Sequence, residues 1–341
     1  MPKRLICMIA AIILPSSLMG ARVLPQVFKP AQLLVMRNAT IMVFDRAAGL
    51  LLFEAGNTQP KIIGAFGQGP GEYDNSAYVS VQDEKIYLST PGKMVVFDFQ
   101  GSVVRETRHS LDLFRNHLIP LPGSGWLADL AQTDYSPRGG TTIKACLLDH
   151  EFTIIKELYR RVVPLPMREV RLYPFAVGSV LAGDRIITAT EEENGSLQIF
   201  DLQGKPMGAV VVPRTQWRKP TSEEVAERME AYRKRAGDPA FWKELKKRIT
   251  IPDQIPNILD FRAAKEGILV RSPDLQNGKR RFLFFDLTGT FIKEFFLPDA
   301  GPLYDFANGA YHYLETTDED HTCLHTLHLT NTTRLIGTPN G

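Results

Sequence analysis

A run of β-branched and aromatic residues, then Asp, then Gly three residues on, then a second apolar run: this unit recurs along the chain, and few folds accept such a repeat. It occurs as MVVFDFQG (Met94–Gly101), LQIFDLQG (Leu197–Gly204) and FLFFDLTG (Phe282–Gly289), and with Gly four residues after the Asp as IMVFDRAAG (Ile41–Gly49). A degenerate copy, ACLLDHEFT, covers Ala145–Thr153. Another, LHTLHLTNT, covers Leu324–Thr332 with His328 at the Asp position. Each reads as a β-hairpin, because the apolar runs favour strands while Asp and Gly tolerate the backbone angles of a tight reversal. Lys93–Arg105 is the clearest example.

The series runs 45, 98, 149, 201, 286 and 328, at intervals of 53, 51, 52, 85 and 42. Four intervals lie near the spacing of one four-stranded propeller blade, roughly 40–50 residues. The long interval contains a charged segment, Thr215–Thr250, and without it the period is restored. Six hairpins at this spacing predict an all-β, six-bladed β-propeller with a helical hairpin inserted between blades four and five. A β-sandwich gives no reason for one hairpin to return at a fixed period.

The insertion reads as two helices. Thr221 and Glu224 form a capping box, and Val225, Met229 and Tyr232 share one face. Gly237 stops the first helix. Asp238-Pro239 starts a second, with Phe241, Leu245 and Ile249 on one side. Packing against the propeller is the plain expectation, and a lid or docking element the sharper one.

Residues 1–21 read as a signal peptide: Lys3 and Arg4, then the apolar core Leu5–Leu14, too short to span a bilayer, then Gly20-Ala21 as a cleavage site. Residues 22–341 are the propeller, with the insertion at 215–250. Export to a secreted or periplasmic location follows, with no stable membrane span after cleavage. The net charge of +2, from 40 basic and 38 acidic residues, provides no field to attract nucleic acid. Beyond the leader, only Cys146 and Cys323 remain. They fall about three blades apart, too far to bridge, and are expected as two buried free thiols.

The strand assignment leaves blade 1 incomplete, with two or three strands from Gln32–Arg37 and Thr40–Phe53. It places the inner strand of blade 4 at Tyr173–Val177 and the outer strand of blade 6 at Thr333–Gly337.

The run GQGPGEY, followed by IYLSTPGKMVVFDFQG, resembles the six-bladed β-propeller family of bacterial exported proteins, relatives of the NHL-repeat propellers. The resemblance covers Gly64–Arg105, and Ile251–Val270 looks like that family's lead-in to a late blade. It implies the fold and an exported setting more than an activity. The glycine run lacks the Gly-Lys-Ser/Thr ending of a phosphate loop and precedes a strand, which excludes nucleotide binding there.

Alternating strand directions put the connections between blades, and those between second and third strands, on one face. The long irregular segments belong to that set: Gly67–Ser76, Ala131–Thr141, Arg160–Leu172, Thr215–Asn257, Ser272–Arg280 and Thr316–His321. Function is expected at this face and at the channel mouth. Residues leading into inner strands should rim the channel: Tyr73, Arg115, Asn116, Arg168, Arg171, Tyr173, Asn257 and Tyr304. They would suit a protein, peptide or glycan ligand, held by a monomer without a cofactor. The alternative is a metal-dependent hydrolase, lactonase-like, or a lyase. Propellers of that kind hold calcium with Glu and Asn, and Glu72, Asn116, Asn257 and Asp305 are the candidates. His321, Cys323 and His325 share one face of a strand and are the candidate soft-metal ligands.

Overall fold

The computed structural model describes residues 21–123, 125–136, 140–164, 170–172, 178–189, 195–212, 219–299, 303–316 and 321–329. Six four-stranded antiparallel sheets are arranged as the blades of a propeller. Blade 1 comprises Pro30–Val35, Ile41–Asp45, Gly49–Phe53 and Lys61–Ile63, from inside to outside. Blade 2 comprises Tyr78–Gln82, Lys85–Thr90, Lys93–Asp98 and Val103–Arg108. Blade 3 comprises Leu113–Leu121, Gly125–Thr133, Gly140–Leu148 and Ile154–Pro164. Blade 4 comprises Ser179–Ala182, Arg185–Ala189, Ser196–Asp201 and Pro206–Val211. Blade 5 comprises Asp260–Ala264, Gly267–Gln276, Lys279–Phe285 and Phe291–Pro298. Blade 6 takes Tyr304–Ala307, Ala310–Thr316 and Thr322–His328 from the end of the chain and its outer strand, Arg22–Leu24, from the beginning.

The ring is therefore closed in blade 6, not blade 1. Val23 pairs with Cys323, and Arg22 with Leu324, antiparallel. The position expected for Thr333–Gly337 is occupied by Arg22–Leu24, and 333–337 lie outside the described residues. Blade 1 has four strands of its own. Its Asp45 turn joins the second and third strands, whereas the Asp98, Asp149, Asp201 and Asp286 turns join the third and fourth. The inner strand of blade 4 is Ser179–Ala182, and the expected Tyr173–Val177 lies outside the described residues.

The core sits in the seams. Six apolar clusters each join two neighbouring blades: Phe44 and Leu52 with Leu88 and Phe97 between blades 1 and 2, for example. Ile199 and Val210 with Phe261 and Leu283 fill the seam between blades 4 and 5. Burying such side chains contributes about 1.5–3 kcal/mol each, so the seams hold the ring together. Cys146 and Cys323 are free and buried, as expected.

The repeated turn explains its own sequence. Asp201 accepts the N–H of Gln203 and Lys205 through one oxygen, at 3.0 and 2.7 Å. Asp286 does the same for Thr288 and Thr290, at 2.8 and 2.9 Å. The following glycine has positive φ: 82° at Gly101, 73° at Gly204 and 91° at Gly289. It also lies against the outer strand of the preceding blade. A Cβ on Gly101 would meet Ile63 at 3.2 Å, one on Gly204 would meet Leu158 at 2.5 Å, and one on Gly289 would strike the Ala209 carbonyl. The motif is thus a turn and an inter-blade contact at once.

The insertion is helical as expected. Helix α1 spans Ser222–Ala236 with its capping box formed, Glu224 N–H to Thr221 Oγ1 at 3.2 Å and Thr221 N–H to Glu224 Oε2 at 2.9 Å. Helix α2 spans Pro239–Lys246 behind the Asp238 cap. Val225, Met229, Tyr232 and Ile249 pack on buried Leu172 and Ile255, which precede blades 4 and 5. Phe241 does not join them and remains exposed. Ile249–Thr250 pairs in parallel with Val170–Arg171. Of the segments expected as loops, 272–280 is mostly the tip of a β-hairpin that turns at Asn277-Gly278.

Candidate functional site

The glycine run is structural. Gly69 N–H donates to Glu72 Oε2 at 2.6 Å, and Lys93 Nζ donates to the Gly69 carbonyl at 2.9 Å. Gly71 N–H donates to Glu106 Oε2 at 2.8 Å. Lys93 and Glu106 belong to blade 2, so they fasten the loop that leads out of blade 1. Tyr73 completes the latch: its hydroxyl donates to the Ile63 carbonyl at 2.6 Å and accepts the Leu50 N–H at 2.9 Å. It is fully buried, in the seam between blades 1 and 2, and does not rim the channel.

The other sequence candidates scatter. Tyr304 is also buried, against Phe282 and Tyr311 between blades 5 and 6. Arg115 and Asn116 both have positive φ, 56° and 58°, in a bulge of the blade 3 inner strand. Arg115 is exposed, with its guanidinium over the Phe114 ring. Asn116 Nδ2 donates to the Ser76 carbonyl at 2.8 Å. Asn257 lies beside Gly195. Asp305 accepts Val35 N–H at 2.7 Å and Phe306 N–H at 2.9 Å. Arg171 lies in the two-residue strand that pairs with Ile249–Thr250. Arg168 and Tyr173 lie outside the described residues. Of the four proposed calcium ligands, Glu72, Asn116 and Asp305 are thus each bonded to a different partner, and Asn257 lies apart from them beside Gly195. Among the described residues, no group of three or more His, Cys, Asp or Glu is placed to hold a metal ion. His325 Nε2 instead meets Glu315 at 3.0 Å and its ring stacks on Tyr313.

The inner strands bring together a different set. Tyr78, first residue of the blade 2 inner strand, packs against the cluster that includes Ile119 of blade 3 and Ile186 of blade 4, and its ring lies 4.6 Å from that of His117. His117 Nδ1 lies 2.8 Å from Asp129 Oδ2. Asp129 also accepts the Ser179 hydroxyl at 2.8 Å and the Ser179 N–H at 3.0 Å, from blade 4. On the far side, Arg262 Nη1 meets Asp260 Oδ1 at 3.0 Å, and its guanidinium lies 4.7 Å from the Tyr304 ring centroid. Five blades contribute to this set, so it exists only in the closed ring.

The electrostatics follow from enclosure. Burial pushes the Tyr78 hydroxyl up to about 12; Asp129, Asp305 and Asp260 add to this while Arg262 opposes it. Burial works to discharge Arg262, but Asp260, Tyr304 and Asp305 outweigh it and keep its pKa above the usual arginine value. The Arg262 side chain nevertheless retains 30% of its surface. A group deep inside the ring with that much surface faces the channel. Burial also raises Asp305, against the pull of its Val35 amide bond. The set places one guanidinium among three Asp side chains, of which Asp129 and Asp305 each accept two hydrogen bonds from the protein.

Sequence reasoning passed over Tyr78, His117, Asp129, Ser179, Asp260 and Arg262. A signal existed for most of them. The sequence reads Tyr78–Val81, His117–Pro122 and Ile258–Ala263 as inner strands, and Tyr78, His117, Asp260 and Arg262 are polar or aromatic residues inside them, where a purely structural strand would be apolar.

Among known proteins, residues 27–171 match DUF5128, a family described as a 6-bladed beta-propeller. No curated protein sequence matches the chain. A crystal structure of a Bacteroides fragilis protein described as exported is similar over 91% of this chain and 94% of its own, at 13% identity and a TM-score of 0.55. BamB from Moraxella catarrhalis is similar over 88% and 85%, at 8% identity and a TM-score of 0.37. Hsv2 from Kluyvelomyces marxianus is similar over 90% and 74%, at 10% identity and a TM-score of 0.43. With six blades around one axis, and with blades 1 to 3 matching DUF5128, this chain is a six-bladed β-propeller of the kind that family describes.

Proposed function

We propose that this protein is an exported propeller that works as a binding or scaffold module, holding a polypeptide or glycan at the channel mouth on the face carrying the inter-blade connections. One observation supports this most: residues from five blades converge on Tyr78 and Arg262 and leave the arginine partly accessible inside the ring. Carboxylates, a guanidinium, an imidazole and a phenol together recognise a ligand rich in both donors and acceptors. The helical hairpin stands on the same face, above the starts of blades 4 and 5. Export rests on the apolar leader in the sequence and on the architecture shared with the exported Bacteroides fragilis protein.

The test is a peptide and glycan array probed with labelled protein, beside Arg262→Ala and Tyr78→Ala variants shown to be folded by circular dichroism. A set of ligands retained by the wild type and lost by both variants supports the reading. Ligands retained unchanged by both variants would remove the channel from it.

A further inference from the structure

Blade 3 departs from the turn rule. Blades 2, 4 and 5 place Gly three residues after Asp, but blade 3 places Phe152 there. The turn is otherwise the same: Phe152 N–H donates to the Asp149 carbonyl at 3.2 Å, and Asp149 N–H to the Thr153 carbonyl at 3.0 Å. Phe152 keeps the glycine conformation, with φ at 65°, which is strained for a bulky residue. In the other blades this position lies directly against the preceding outer strand. Here a ring stands between the two blades. It stacks on Trp126 with centroids 5.4 Å apart and meets His109 at 5.5 Å.

A recess of about 380 Å³ opens at this seam, lined by Arg108, His109, Ser110, Leu111, Glu151 and Phe152. Trp126 Nε1 and both ring nitrogens of His109 are buried with no hydrogen-bond partner among the described residues. The Lys93 backbone lies near His109 without good alignment. Unpaired buried groups are costly and uncommon. A strained aromatic residue, unpaired polar atoms and a cavity of ligand size therefore coincide.

We propose that this recess binds a ligand carrying one apolar ring and a carboxylate. The ring packs against Leu111 and Phe152, and movement of Phe152 brings the ligand's oxygens to His109 and the Trp126 N–H. Arg108, on the rim, takes the carboxylate. The donor balance selects this class: an indole N–H and a guanidinium only donate, and a neutral imidazole donates once, while the Glu151 carboxylate is mostly exposed to solvent, 3.8 Å from the exposed His150 ring. The recess lies at the seam between blades 2 and 3 and uses none of the channel residues, so either reading can fail without the other.

The experiment is calorimetric titration of the full chain with N-acetyl-L-phenylalanine, N-acetyl-L-phenylalaninamide and N-acetyl-L-alanine. Saturable binding of the acid, at least about tenfold tighter than the amide and the alanine derivative, is expected. The tetrapeptide Gly-Gly-Gly-Phe separates the two sources of this chemistry: tighter binding than the small acid points to a chain end, weaker binding to a free aromatic acid. Phe152→Gly restores the glycine of the other turns and should abolish binding; Arg108→Ala should remove the preference for acid over amide. No saturable binding of the acid below about 10 mM, equal affinity for acid and amide, or undiminished binding by Phe152→Gly overturns the proposal. Should Phe152→Gly fail to fold, Arg108→Ala decides, because Arg108 is exposed on an outer strand.

Discussion

Asp305 of blade 6 accepts the Val35 N–H of blade 1 at 2.7 Å, joining residues 270 positions apart in the chain. This bond spans the closing seam near the axis, while Arg22–Leu24 closes it at the rim. Asp305→Ala leaves the Val35 amide without its acceptor inside the ring, a loss of about 1–3 kcal/mol. Asp305→Asn keeps an oxygen for Val35 and should lose less. Urea denaturation of both variants checks the order.

The same residue predicts a pH dependence. Burial, stronger than the Val35 and Phe306 amide bonds, holds its folded pKa above the usual carboxylate value. A group raised on folding favours the folded state most when protonated. Its contribution is therefore complete below the unfolded value of about 3.9 and is lost as pH rises through the folded value. Replacing Asp305 with Asn removes that loss. Stability of Asp305→Asn relative to wild type should improve as pH is raised from about 4 towards neutrality. A constant difference across that range would show that the carboxylate does not titrate differently on folding.

The turn glycines divide into two kinds, which gives a paired test. Gly289 has φ at 91° and lies against the Ala209 carbonyl; Gly278 has φ at 72° and open space around it. Gly278→Ala should cost about 1 kcal/mol, the backbone strain alone. Gly289→Ala adds a clash with a main-chain atom that cannot turn aside, and should cost about 2–4 kcal/mol in total. Equal shifts in the denaturation midpoint would mean that the inter-blade contact is not tight.

The repeat was legible because it records a contact made in blades 2, 4 and 5, where the Asp caps the turn and the glycine lies against the neighbouring blade. Blade 1 misled because Asp45 is also a turn aspartate, accepting Ala47 and Ala48 N–H at 2.8 and 2.9 Å. Its other oxygen accepts Phe28 and Lys29 N–H, just ahead of the inner strand, which fixes the turn between the second and third strands. The visible sign was Gly49, four residues after the Asp and not three. The capping box at Thr221 was legible because it is local. The channel set was not, since Tyr78, Asp129 and Arg262 meet only across a closed ring. Tyr73 and Tyr304 looked like rim residues because they lead into inner strands, but their rings fill the seams beside those strands.

Tyr73 carries a fourth prediction. Its hydroxyl is shielded from water and bonded to both Ile63 and Leu50, which brings the end of blade 1 onto the loop that leads to blade 2. Tyr73→Phe fills the same space but leaves the Leu50 amide and the Ile63 carbonyl unpaired, for a loss of about 1–3 kcal/mol. Hydrogen exchange should show the effect locally, with faster exchange at Leu50 and along Gly67–Glu72 before the remaining blades respond. Uniform acceleration across all six blades would contradict the latch.

The helical hairpin should be dispensable for folding. Val225, Met229, Tyr232 and Ile249 pack on Leu172 and Ile255 in a cluster separate from the six seams, and Arg228 Nη1 donates to the Leu172 carbonyl at 3.3 Å. Helix α2 buries no residue, and the ion pairs of α1 and α2, Glu230 with Arg233 and Glu244 with Lys247, are internal to the hairpin. Replacing residues 219–248 with a short Gly-Ser linker removes Val225, Met229 and Tyr232 from that cluster, leaves Ile249, and uncovers much of Leu172 and Ile255. It leaves every inter-blade cluster intact, so the strand signal in circular dichroism and cooperative unfolding should persist, with stability lowered by about 2–4 kcal/mol. Comparing this variant with the full chain on the same peptide and glycan array then separates the two roles of the hairpin. Ligands lost from a folded deletion variant mark it as part of the recognition surface, and an unchanged set marks it as a brace for the connections into blades 4 and 5. Loss of the cooperative transition itself would show that the six seams do not suffice to close the ring.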